Sequence, residues 1–300
     1  MQPFLGKTAL EGGFPFLHLS TSCQTSSNFL QQAEQRKKPC FTRLFSVPAI
    51  GVRNCYTRQT GMRTTYLKNL EHDAFMIWVM CKGRDPSGLE NRAKRMRLAP
   101  EIVSVISKAT RYEDVKKLTE QIAKERYAAE EANINQAVIE YQKTWDVIND
   151  IFYREVVRIT ETSWRFPEYR VVLSPFHPGI ANRGNNVVMR WIYERPDEQL
   201  RTTAHEILMI HLWELFDTIL PGSKESRDGG PFWGLNEITA TAILGLEPSL
   251  NELWSTDKKG YDQFLQNYPQ LFERKEKLKE VYLDTQNFRD YLTRAVEWGG

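Results

Sequence analysis

After Cys81 the sequence contains no cysteine. The four it has, Cys23, Cys40, Cys55 and Cys81, lie near the amino terminus, and no two have CxxC spacing. A zinc ribbon and a thiol redox motif are therefore excluded. The cysteine-free remainder suits a reducing compartment, and we read the chain as cytoplasmic. No apolar run approaches the roughly 18 residues of a membrane-spanning helix. The most apolar window, "HDAFMIWVMC" at 72–81, is too short and too closely flanked by charge, so no membrane partner is expected. Charge of one sign is missing as well. A net charge of +2 argues against a protein whose main task is to coat nucleic acid. The basic patch at 82–98 includes "NRAKRMRL", but Arg92, Lys94, Arg95 and Arg97 do not share one helical face and read as solvated surface. "GIANRGNN" has glycines without GxGxxG or Walker spacing, and Ser174 in "LSPF" has no GxSxG setting. Nucleotide binding and serine hydrolysis are thus unsupported.

What is present is a chain of 300 residues, 41% of them hydrophobic, enough for a sizeable core. Residues 1–61 stand apart, with seven Lys/Arg against two acids, Glu11 and Glu34, and no lasting hydrophobic period. Three readings stay open there. They are a flexible tail, an Arg-rich targeting segment, or a leader ahead of a start at Met62. Residues 62–160 read as a helical region. Val138, Tyr141, Trp145, Ile148 and Phe152 step by three or four and mark one buried face, and Asn133 or Asn135 is the expected break. The character changes over 161–300. "YRVVLSPF" and "NVVMRWIYE" read as strands around the loop "HPGIANRGN". "RPDEQLRTTAHEILMIHLWELFDTIL" and "LNEITATAILGL" read as helices separated by a polar loop, and further helices close the chain. The expected fold class is α+β, predominantly helical with a small sheet.

The chemistry-bearing stretch is "TTAHEILMIHLWELF" at 202–216. In an HExxH helix the two histidines, at i and i+4, lie only about 40° apart and reach one metal ion. His205 and Glu206 fit the first two places, but Met209 stands where the second His belongs. A thioether is soft and neutral, a poor match for Zn²⁺. His211, at i+6, lies about 120° around the helix and reaches the same ion only if the helix unwinds. Glu237 follows on the next helix among small and apolar neighbours, where a carboxylate needs a partner. His177, between prolines in "SPFHPG", is a further candidate ligand from a loop.

From "YRVVLSPFHPG" to the carboxyl terminus the chain resembles prokaryotic zincin-like proteins with a gluzincin arrangement. The resemblance rests on the His-Glu helix, the second helix with its Glu, and the later "DKKGY" segment. It implies a zincin-like domain over 161–300 with an active-site helix after an edge strand. It also implies zinc as cofactor, His205 and Glu237 as ligands, Glu206 as general base, and a peptide or protein substrate. His211 completes the candidate ligand set. Three function classes follow: a metal-dependent hydrolase, a non-catalytic peptide- or protein-binding module that keeps the groove, and a helical interaction protein using the patch at 82–98.

Overall fold

A computed structural model describes residues 61–82, 93–94, 96–176, 179–181, 185–219, 231–254 and 269–299. The chain divides into two units, Met1–Cys55 and Tyr56–Gly300, and all described residues belong to the second. His177 and most of the basic patch lie outside the described residues.

The unit opens with β1 (Arg63–Leu67), followed by α1 (Leu70–Cys81), α2 (Pro100–Lys108), a 3₁₀ turn (Tyr112–Asp114), α3 (Lys116–Ala129) and α4 (Glu131–Thr160). Then come β2 (Glu168–Ser174), β3 (Gly179–Ala181), β4 (Val187–Trp191), α5 (Pro196–Ile219), α6 (Pro231–Leu246), α7 (Pro248–Asn251), α8 (Pro269–Asp284) and α9 (Phe288–Gly299). The fold is α+β and predominantly helical. Its boundaries have local causes. Asn69 caps α1 by accepting from the His72 N–H at 3.0 Å. Prolines occupy the first positions of α2, α5 and α7, where a missing N–H is harmless. Glu161, in the left-handed region at φ 53°, ends α4.

The sheet order is β1-β2-β4-β3, with β3 antiparallel to β4 and the other neighbours parallel. Two strands lie where helix or loop is expected. "RTTYL" opens the helical region, and "GIA" sits inside the loop 177–185. Both are short, and alternation over five residues or fewer is a weak signal. The order also corrects the position of the strand before the motif helix. β4 is internal, and β3 is the edge beyond it. The break between α3 and α4 falls at Glu130, which accepts from Asn133 at 2.7 Å, rather than at Asn133 or Asn135.

The centre of the core is α4. Tyr141, Trp145, Ile148 and Phe152 are buried as their spacing predicts, with Val138 partly covered. Each such side chain stabilises by about 1.5–3 kcal/mol relative to exposure. The same helix also closes one side of the sheet. Asn149 accepts from the Thr64 N–H at 3.3 Å and donates to the Met62 carbonyl at 2.8 Å. Gln142, two turns away, accepts from the Tyr66 N–H at 2.8 Å and donates to the Thr64 carbonyl at 3.0 Å. Two side-chain amides thus take the place of a neighbouring strand along β1, removing the hazard of an open edge.

A smaller core lies among α1, α2 and α3, with Ile77, Met96, Ile106 and Phe176 in it. Asp73 sits at its margin, fully buried, accepting from the Tyr127 hydroxyl at 2.8 Å. Burial raises the carboxyl to about 7, only partly offset by hydrogen bonds from Tyr127 and Ser174. The folded state therefore holds a proton that the unfolded chain releases. The stability this contributes is complete below pH 3.8 and is lost as pH rises to about 7. Asp73→Asn should cancel that loss. The stability of the parent minus that of the variant, from urea melts, should fall by up to about 1.4 kcal/mol per pH unit inside the window and be flat above it.

Candidate functional site

The motif helix α5 is continuous through Pro196–Ile219 and buried along most of its length. It packs against α4, α6, β3 and β4, which accounts for its nearly all-round apolar sequence. Because the helix does not unwind, Met209 stands one turn beyond His205 and His211 points elsewhere.

The structure brings His205 and Glu237 together. The imidazole Nε2 of α5 lies 3.0 Å from Oε2 of Glu237 on α6, and both residues are buried. A carboxylate oxygen can only accept, so in this contact the ring nitrogen donates. Burial acts to lower the imidazole pKa, but the Glu237 carboxylate, and more weakly Glu206, outweigh it and leave it raised. Glu206 is the next residue and is only half-buried.

One residue before Glu237, Asn236 donates from Nδ2 to the Met209 carbonyl at 3.2 Å. Met209 itself is 5% exposed and belongs to the main apolar cluster. It is a core residue at the position where an HExxH pattern has its second His.

The structure separates His211 from the pair, against its place in the candidate ligand set. Its Nε2 lies 3.0 Å from Oγ1 of Thr160, and its ring packs on Trp164 at 4.3 Å. Thr160 spends its own proton on the Val156 carbonyl at 2.8 Å, so His211 must donate from Nε2. A nitrogen that carries a proton has no lone pair to offer a metal. Burial alone lowers this histidine to about 3, and the neutral ring is the form held. Among the described residues no group of three or more His, Cys, Asp or Glu is placed to hold a metal ion.

A second buried polar group lies nearby on the amino-terminal turns of α5 and the chain leading into it. Arg190 of β4 pairs with Glu194. Gln199 donates to the Tyr66 hydroxyl and to Thr203, each at 2.6 Å. The Tyr141 hydroxyl donates to the Glu194 carbonyl at 2.5 Å. Burial raises the Glu194 carboxyl, Arg190 opposes it, and the charges of Glu198 and Glu206 add to it. This cluster fixes the β4–α5 connection. Sequence reading missed it, because its members come from β1, α4, β4 and α5 and show no spacing pattern.

Comparison with family models, with curated proteins and with solved structures finds no match to this chain.

The Thr160–His211 contact has a direct test. Thr160→Val keeps the volume and removes the acceptor, leaving a buried imidazole N–H unpaired. The variant should lose about 1–3 kcal/mol in urea unfolding, with no change in any ligand-binding property.

Proposed function

We propose that this chain is a zincin-type scaffold acting as a non-catalytic module that binds an extended peptide or protein segment. The supporting observation is the asymmetry of the sheet. The β1 edge is closed by Gln142 and Asn149, whereas β3 is the opposite edge. Among the described residues no further backbone hydrogen bond reaches β3 beyond its ladder with β4. An extended peptide adds to such an edge through main-chain hydrogen bonds. The strand also packs against α5, the helix that carries His205 and Glu206. The residues that the resemblance assigns to zinc do not fit a catalytic ion. Such a site takes three protein ligands, and the described donors supply two, with Met209 buried in the apolar core.

The metal-dependent hydrolase is the second reading, and the meeting of buried His205 on α5 with buried Glu237 on α6 supports it. In that reading His205 and Glu237 would hold the ion, and Glu206 would take a proton from water. A cytoplasmic setting suits either reading, since Cys81 is a buried thiol and no cysteine follows it. No helix among the described residues is long and apolar enough to cross a membrane.

The module reading is tested with peptides selected for binding from an unbiased library. Methylating alternate backbone amides removes the donors that strand addition needs. It should weaken binding at least about tenfold, the equivalent of one or two lost hydrogen bonds, and chelators should leave binding unchanged. Cleavage of the bound peptides that stops with chelator would establish the hydrolase reading instead.

A further inference from the structure

We propose that the His205–Glu237 bond is a metal-free lock between α5 and α6, standing where the zincin resemblance places an ion. Three features of the geometry carry this. First, Nε2 of His205 lies 3.0 Å from Oε2 of Glu237, a direct contact between two buried side chains of α5 and α6. Second, consecutive residues of α6 address two turns of α5. Glu237 meets His205, and Asn236 donates to the carbonyl of Met209, four positions further along. This two-point contact sets the register between the helices, a task that an ion shared between them would otherwise perform. Third, the two other positions on α5 are committed. The Met209 side chain is packed in the apolar core, and His211 donates to Thr160.

A divalent ion would tie Glu237 to a second helix by coordination; the His205 ring ties it there by a direct hydrogen bond, with the neutral thioether of Met209 left in the apolar core. The lock also bears on the β3 edge, because α5 packs against that strand. Only that last consequence rests on the module reading; the lock stands on its own geometry.

The test uses the full chain. Thermal unfolding is followed in the protein as purified, after exhaustive treatment with EDTA, and with excess ZnCl₂. The midpoint should be the same in all three. A fall of several degrees with EDTA, or a rise of several degrees with zinc, would overturn the proposal, because a ligand of the native state raises the midpoint. His205→Gln, Glu237→Gln and the double variant then form a cycle. The double variant should lose less than the sum of the singles, and strict additivity would overturn the proposal. Should a single variant fail to fold, the zinc and EDTA arms on the parent still decide. Met209→His places a second imidazole on the face of His205. Zinc should raise the midpoint of this variant and leave the parent unmoved, and a folded variant indifferent to zinc would count against the lock's standing at a former metal position. Peptide binding is read separately, so its failure removes the module reading and leaves the lock in place.

Discussion

A buried carboxylate needs hydrogen-bond donors, and Glu237 has the imidazole of His205 at 3.0 Å. This one requirement organises the carboxyl-terminal half of the molecule. Glu237 sits on α6 among small and apolar residues, with Asn236, Thr239 and Ala240 all buried around it. Left unpaired in that setting, its charge would cost several kcal/mol. Meeting His205 fixes α6 against α5, and α5 in turn packs on β3, β4 and α4. The helices α8 and α9 close over α6, where Thr239 meets the Tyr291 hydroxyl at 2.9 Å.

The amino-terminal half answers a different constraint. A four-stranded sheet has two edges, and each exposes main-chain groups that attract other strands. The long helix α4 settles one edge with Gln142 and Asn149, while the adjoining stripe, centred on Trp145 and Phe152, builds the core. One helix therefore performs both tasks, and substitutions at Gln142 and Asn149 act on the strand edge although neither residue belongs to a strand. At the other end of the sheet stands β3, beside the helix that carries His205.

How much of this was legible in the sequence depends on the range of the interaction. The stripe on α4 and the extent of α5 follow from local periodicity, and both are where the spacing puts them. The burial of Glu237 beside His205 follows from chemistry, since an acid among apolar neighbours needs a partner. β1 and β3 were hidden because three to five residues carry too little pattern to compete with their surroundings. The edge cover by Gln142 and Asn149 was hidden for another reason. On a helix surface an amide reads as solvated, and only the position of β1 turns it into a substitute strand. His211 shows the limit of motif reading. Its place in the ligand set required α5 to unwind; the helix is continuous, and the ring meets Thr160, an acceptor more than fifty positions earlier in the chain. The Arg190–Glu194 and Gln199–Tyr66 contacts join residues with no common spacing, and no sequence signal announces them.

The central claim is that His205 and Glu237 join α5 to α6 by a direct imidazole–carboxylate bond, with no metal ion between them. Its most direct measurement is the metal content, by inductively coupled plasma mass spectrometry, of full-length protein purified without a metal-affinity tag from cells grown with ample zinc. The account predicts transition metal far below one equivalent per chain, in protein that is folded and keeps its native melting behaviour. Near-stoichiometric zinc that survives gel filtration would contradict it and place an ion between His205 and Glu237.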